Sequence, residues 1–285
     1  MSDLLVKTRE ICRLLDIKPA RSKGQNFLIN EKIYDDIIAA ADLQPTDTVL
    51  EIGPGLGFLT AKLARQVKRV IAVELDDKLA DYLQMGVGSQ DIENVEIVNE
   101  DILRFRADAY LFGQDYKIVA NLPYNITSIF LRQFLTAEHK PRSLTLMLQK
   151  EVAERIAALP PEMSVLAISV QYYADPKIIR TVKAGNFWPE PEVDSAIIKL
   201  MVKDSFFPTV VGQREKDKRF FRLVKIGFSA KRKMLKNNLA GGLKIEAKIV
   251  ENILVEQQFD PKIRAEELAL TDWQKLFAAF APFVV

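Results

Sequence analysis

Asn121, Leu122, Pro123 and Tyr124 follow the apolar stretch Lys117-Ile118-Val119-Ala120, which reads as a short buried strand. At the end of such a strand an asparagine side chain offers a carbonyl acceptor. The Leu122 carbonyl offers a second one, held extended because a proline follows. Tyr124 adds a flat π face. Two acceptors beside a stacking ring suit a planar amine, such as the exocyclic nitrogen of adenine. A short motif of this kind also occurs as an ordinary turn with a partly buried tyrosine. Its meaning therefore depends on what the rest of the chain brings to it.

A second group of residues lies upstream. Glu51-Ile-Gly-Pro-Gly-Leu-Gly-Phe-Leu-Thr60 joins a strand to a helix, and Gly53, Gly55 and Gly57 let the backbone approach a ligand closely. Glu74 closes the next strand, about 20 residues after Gly53, where a carboxylate can accept both ribose hydroxyls of a nucleoside. Asp101 follows the third strand and can accept from an adenine amine. A glycine-rich turn alone is shared with nicotinamide-dinucleotide enzymes. Here the Gly-Pro-Gly-Leu-Gly spacing departs from Gly-x-Gly-x-x-Gly, and Asp101 with Asn121 adds polar groups at the next two strand ends. Together these favour S-adenosylmethionine over NAD, leaving a nicotinamide oxidoreductase as a remote alternative.

Positioning such groups requires a layered α/β sheet. Strands are expected at Thr48–Ile52, Arg69–Val73, Val95–Val98, Ile118–Ala120, Ser143–Leu148, Ala167–Tyr172 and Ala196–Val202. Helices are expected at Phe58–Gln66, Asp77–Met85 and Glu151–Leu159. This alternation implies a parallel sheet with helices on both faces and right-handed crossovers. After Phe206-Phe207-Pro208 the strands stop, and helices are expected at Arg214–Gly227, Lys233–Leu239, Glu246–Glu256, Glu266–Leu270 and Asp272–Ala281, with Thr271 as a cap. The chain thus divides near residue 205 into an α/β domain, 1–205, and a helical domain, 206–285.

The 285 residues are 48% hydrophobic and 27% charged, as in a globular protein with a full core. No apolar run reaches the roughly 18 residues of a membrane span, and the Met1–Lys7 stretch lacks the features of a signal peptide. A single cysteine, Cys12, excludes an internal disulfide, and with only His139 beside it a His/Cys zinc site is not expected. These features point to a cytoplasmic protein without a metal. The net charge of +2 is unevenly spread. Segment 1–24 is basic, and Arg214–Lys236 carries Arg222, Lys225, Lys231, Arg232 and Lys233 with phenylalanines 220, 221 and 228 between the charges. A charge run is usually a solvated face. Two runs flanking a base pocket in sequence favour phosphate-backbone contact instead.

Taken in order, six motifs carry a resemblance. They are Gly24-Gln-Asn-Phe-Leu28, Glu51-Ile-Gly-Pro-Gly-Leu-Gly57, Val73-Glu-Leu-Asp76, Asn121-Leu-Pro-Tyr-Asn-Ile126, Gln149-Lys-Glu-Val152 and Phe187-Trp-Pro-Glu-Pro-Glu-Val-Asp-Ser195. Over most of its length the chain resembles the KsgA/RsmA family of small-subunit rRNA adenine N6,N6-dimethyltransferases. The basic Gly227–Leu239 stretch is similar to that family's C-terminal signature. The resemblance implies a Rossmann-like class I methyltransferase sheet with a small all-helical C-terminal domain. It implies an S-adenosylmethionine-dependent enzyme acting on two adjacent adenines near the 3′ end of 16S rRNA in the small ribosomal subunit, with a role in its biogenesis; a monomer is the default expectation, not one the resemblance supplies. Asn26 and Leu28 would close over the methionine part of the cofactor, Gly53 would lie under it, and Gly55 belongs to the same turn. Glu74 would hold the ribose, Asp101 the adenine, and Asn121, counted with the cofactor-binding residues as well, would face the target amine. Tyr124 and Phe187 would stack on the two faces of the base. The erythromycin-resistance methyltransferases of large-subunit rRNA share the fold and the Asn-x-Pro-Tyr idea. A non-catalytic ribosome-assembly or nucleic-acid-binding factor on the same scaffold is the rival from another class. One departure is the short Ala158–Leu166 loop, where family members usually carry a longer loop with Tyr-Gly.

Overall fold

The computed structural model describes residues 3–19, 25–89, 92–203 and 213–284. Arg21, Lys23, Gly24 and the boundary expected near residue 205 lie outside the described residues. In chain order the elements begin with α1 (Asp3–Leu14), β1 (Phe27–Leu28), α2 (Glu31–Ala41), β2 (Thr48–Ile52), α3 (Phe58–Ala64) and β3 (Arg69–Glu74). They continue with α4 (Asp77–Ser89), β4 (Val95–Asn99), α5 (Ala107–Leu111), β5 (Lys117–Asn121), α6 (Thr127–Leu135), β6 (Ser143–Gln149) and α7 (Lys150–Ile156). Then come α8 (Val165–Gln171), β7 (Ala174–Val182), β8 (Phe187–Trp188), β9 (Ser195–Val202), α9 (Gln213–Gly227), α10 (Leu235–Leu243), α11 (Ala247–Glu256) and α12 (Leu270–Phe280).

Seven strands form one sheet in the order β4-β3-β2-β5-β6-β9-β7, and β1 pairs with β8 in a separate ribbon. The first five strands are parallel, each sequence-expected and each an apolar, β-branched run. The sheet is mixed rather than wholly parallel, because β9 runs antiparallel to both β6 and β7. The chain returns from β7 to β9 without a crossover helix, and a direct return reverses direction.

Two segment assignments change in this region. The stretch 167–172, expected as a strand, is helical: Ser164 caps α8 by accepting from the Ala167 N–H at 3.1 Å. The strand lies just after it, in β7, whose residues are mostly exposed. As an edge strand it carries Pro176, Lys177 and Arg180, with a bulge between Ile178 and Arg180. Edge strands tolerate proline and charge, so no apolar run marks them in sequence.

On one face of the sheet, Ile33, Tyr34 and Ile37 of α2 and Leu59 and Leu63 of α3 pack on Val49, Val70, Ala72 and Val119. Burying each such aliphatic side chain contributes roughly 1.5–3 kcal/mol, which fixes the strand ends where the polar residues stand.

The chain divides into two compact units, one of Met1–Ala153 with Ala174–Val202 and one of Glu154–Tyr173 with Lys203–Val285. The second takes residues 154–173 from the middle of the chain, a segment the sequence reading left in the first. Its core joins Ala167, Ile168 and Tyr172 to Phe220, Leu223, Leu239 and Trp273. Glu266–Leu270 is not a helix: only a short turn forms at Ala265–Glu267, and α12 begins at Leu270. Thr271 therefore lies inside α12. The helix start is closed by Asp272, whose Oδ2 accepts from the Ala269 N–H at 2.9 Å.

Candidate active site

Four strand ends carry the polar residues of the first unit. At the end of β2 the chain turns through Gly53, Gly55 and Gly57, all with positive φ. At Gly55 (φ +58°) a side chain would also press on the Phe27 ring, 3.4 Å from where its Cβ would stand. The Gly55 N–H donates to Glu74 Oε2 at 3.0 Å, and the Asp76 N–H donates to Glu74 Oε1 at 2.9 Å. Burial raises the pKa of Glu74, while these N–H groups pull it back. Its carboxylate is thus held in one orientation at the end of β3, with lone pairs left on both oxygens.

Asp101, just beyond β4, accepts from the Leu103 N–H at 2.9 Å through Oδ1, a turn that fixes its side chain. At the end of β5, Asn121 Nδ2 donates to the Asn26 carbonyl at 3.5 Å. A carbonyl can only accept, so the amide turns its NH₂ end to Asn26 and its oxygen to the other side. The Leu122 side chain is buried and its N–H donates to the Met147 carbonyl at 3.2 Å. Pro123 follows with extended backbone, φ −56° and ψ 132°. Tyr124 is half-buried, and its hydroxyl lies 2.9 Å from Ser195 Oγ. Burial raises its pKa, so it stays a neutral phenol.

The remaining expected residues are placed as follows. Asn26 is half-buried, whereas the Leu28 side chain lies in the core and its carbonyl accepts from the Tyr34 hydroxyl at 3.0 Å. Phe187 is only 3% exposed, packed with Leu28, Val119, Met147 and Ile197. It was expected to offer an open stacking face; its ring is covered. Trp188 is half-buried, with the Arg9 guanidinium 5.6 Å from its ring centroid.

Sequence reasoning missed three residues here. Glu51, in β2, is 1% exposed, and neither carboxylate oxygen has a hydrogen-bond partner among the described residues. Burial pushes its pKa up to about 8, the Thr60 hydroxyl pulls the other way, and the Glu74 charge adds to the rise. A buried carboxyl without a partner is costly unless a ligand answers it. Leu75 is 69% exposed directly after Glu74, whereas Ile102, directly after Asp101, is only 5% exposed. In both cases an apolar residue after a strand-end carboxylate was the available signal.

The basic residues belong to the second unit. Arg222 and Lys225 are exposed on α9, and Lys231, Arg232 and Lys233 are exposed on the loop between α9 and α10. Asn238 Nδ2 holds that loop by donating to the carbonyls of Gly227 at 2.6 Å and Ala230 at 3.1 Å. Phe220 is fully buried, and Phe221 and Phe228 pack against the same core, so these rings are not stacking platforms between the charges.

The profile of the family described as ribosomal RNA adenine dimethylase matches residues 18–281. The chain belongs to the ribosomal RNA adenine dimethylase family. Within it, a Dehalococcoides mccartyi protein named ribosomal RNA small subunit methyltransferase A is 44% identical over 280 residues, covering 98% of this chain and 94% of that one. A Geobacillus kaustophilus protein of the same name is 38% identical, covering 97% and 96%. Among solved structures, a dimethyladenosine transferase from Plasmodium falciparum superposes with a TM-score of 0.78 at 28% identity, covering 90% of this chain and 98% of that one. The 23S rRNA methyltransferase ErmE gives a TM-score of 0.73 at 26% identity, covering 90% and 100%. The sheet is accordingly that of a class I rRNA methyltransferase. Against this adenine dimethylase background the short 158–166 loop joins α7 to α8 in the second unit. There its Met163 N–H donates to the Glu266 carbonyl at 3.0 Å.

Proposed function

We infer that this chain is an S-adenosylmethionine-dependent rRNA adenine dimethyltransferase whose targets are two adjacent adenines near the 3′ end of small-subunit rRNA. The observation that supports it most is the Asn121 amide: anchored to Asn26 by its NH₂ end, it leaves its oxygen to accept, next in sequence to the Leu122 carbonyl that the following proline holds extended. Two fixed acceptors at one strand end match the two hydrogens of an adenine N6 amine.

The residues present fit the cofactor. Glu51, buried and unpartnered among the described residues, would take the ammonium of its methionine part. Gly53 and Gly55 allow close backbone approach, Glu74 would hold the ribose, and Asp101 the adenine amine. Leu75 and Ile102 would cover the adenine ring. When bound, S-adenosylmethionine supplies an electrophilic methyl group.

The chain's own residues do the rest. Asn121 Oδ1 and the Leu122 carbonyl accept the amine hydrogens and draw the nitrogen lone pair out of conjugation with the ring. As that nitrogen gains positive charge, these fixed dipoles stabilise it without reorganising. Holding the nitrogen in line with its methyl donor contributes much of the remaining rate. No strong base is required, because the product nitrogen gives its proton readily to water. After one transfer a single hydrogen is left, and the pocket must take a methyl group in place of the other.

The Tyr124 ring, fixed by its hydroxyl at Ser195, stacks on the base, an interaction worth roughly 1–3 kcal/mol. Phe187, whose ring is covered in this structure, would form the second wall only where the incoming base displaces its cover. An adenine must be unstacked to enter, which suits a loop or single strand. The exposed cations Arg222, Lys225, Lys231, Arg232 and Lys233 bind the RNA backbone, and the enzyme works as a cytoplasmic monomer on the small subunit. The likeness to ErmE supports one rival, a large-subunit adenine methyltransferase. Incubating the protein with labelled S-adenosylmethionine and unmethylated small or large subunits separates the two. The inference expects label in small-subunit rRNA, and label confined to the large subunit refutes it.

A further inference from the structure

The ribbon of β1 and β8 ties the two sides of the pocket together. On the cofactor side, the residues of β1 and those before it touch the glycine turn and the strand ends. Phe27 lies against Gly55, the Asn26 carbonyl accepts from Asn121, and Gln25 Nε2 donates to Asp76 Oδ2 at 3.4 Å. On the base side, β8 carries Phe187. The register sets Phe27 opposite Trp188 and Leu28 opposite Phe187. Two residues per strand, outside the main sheet, are too few to hold a register alone.

The register is held at one flank by Asn186. Its carbonyl accepts from the Ile29 N–H at 2.8 Å, and its Oδ1 accepts from Asn30 Nδ2 at 2.7 Å. Its Nδ2 donates to the Lys183 carbonyl at 2.9 Å. That turn is fixed in its own right, since Asp194 accepts from the Ala184 N–H at 3.1 Å and from Lys183 Nζ at 2.8 Å. Asn30 is anchored as well, because its Oδ1 caps α2 by accepting from the Lys32 N–H at 3.0 Å. Both ends of each amide are engaged, and the pair forms one continuous link from the start of α2 to the strand bearing Phe187.

We propose that Asn186 and Asn30 are positioning residues that couple the cofactor half of the pocket to the base half. Seating of S-adenosylmethionine on Asn26–Leu28 sets β1, the Asn30–Asn186 link carries that setting to β8, and Phe187 is placed for the base. Cofactor and RNA then strengthen each other's binding by the same factor, as linkage requires. The proposal rests on the function inferred above. A merely structural role for the pair would lower thermal stability, or both affinities alike. A coupling role removes the mutual enhancement while each ligand still binds.

The experiment uses the full chain with S-adenosylhomocysteine and unmethylated small subunits as probes. The affinity for each is measured alone and with the other at saturation. The wild type is expected to show an enhancement of roughly tenfold, within the usual range for coupled sites. Asn186→Ala is expected to bring the factor to about one, with the affinity for S-adenosylhomocysteine alone within about twofold of wild type. Asn30→Ser supplies the second test: serine still caps α2 but is too short to reach Asn186. It should lose the enhancement equally, and it decides the matter if Asn186→Ala does not fold. A wild type without enhancement, or an Asn30→Ser variant that keeps it in full, overturns the proposal. Failure of the wild type to methylate small subunits would instead overturn the inferred function, so the two failures are distinguishable.

Discussion

In the proposed mechanism Asn121 acts by holding an acceptor still, and its anchor to Asn26 is a long hydrogen bond of 3.5 Å. Asn121→Ala should therefore leave cofactor affinity within a few fold while lowering turnover about 10²–10³-fold, the usual cost of deleting one preorganised polar contact. Isothermal titration beside single-turnover kinetics measures both. Lost cofactor binding with normal turnover would contradict the assigned role. Glu51 has a different signature. Burial raises its pKa from the ordinary 4.5 to about 8, so the folded chain holds this proton more tightly than the unfolded chain. That stabilisation is complete below about pH 4.5 and disappears as pH rises through about 8. Glu51→Gln should accordingly flatten the fall in stability between these limits, although Glu74, shifted in the same direction, retains its own share. Urea melts across the range test this, and an unchanged pH slope counts against a neutral buried Glu51.

At the scale of elements, packing around α9 gives the clearest mutational forecast. A Cβ at Gly227 would lie 2.2 Å from Trp273 Cη2 and 3.0 Å from Leu235 Cδ1, inside a core with no slack. Gly227→Ala should cost about 1–3 kcal/mol by overpacking. It would also disturb the basic loop, because the Gly227 carbonyl is one of the two that Asn238 holds. A thermal melt equal to wild type would rule this out. The same scale shows what was legible in the chain. β2 to β6 announce themselves as apolar runs, and Glu74, Asp101 and Asn121 stand out because polar residues end those runs. The α8–β7 region misleads for a physical reason: Val165-Leu-Ala-Ile-Ser-Val170 is apolar and β-branched, yet a serine cap and tertiary burial make it a helix. The exposed edge strand beside it lacks any apolar pattern. Glu51 and Phe187 could not be resolved from type and spacing, since their burial is decided by the cover that α2, α3 and β1 provide.

For the molecule as a whole, the proposed function divides the work between two units, chemistry in the first and RNA contact in the second. The first holds every strand-end residue of the pocket, and the second carries the exposed cations Arg222, Lys225, Lys231, Arg232 and Lys233. Replacing Lys231, Arg232 and Lys233 together by glutamine should weaken binding to the small subunit and lower the slope of log K against log salt by about two to three, one contact per cation. Cofactor affinity should not change. An unaltered salt slope in a filter-binding or sedimentation assay would remove these residues from the RNA interface. The central claim is that Asn121 and Leu122 present an adenine N6 amine for two successive transfers. Mass spectrometry of rRNA fragments from unmethylated small subunits, after incubation with S-adenosylmethionine and this protein, tests it most directly. The account predicts two adjacent N6,N6-dimethyladenosines near the 3′ end of the small-subunit rRNA, and none with Asn121→Ala. Methylation at another base atom, or full dimethylation by the Asn121→Ala variant, would contradict it.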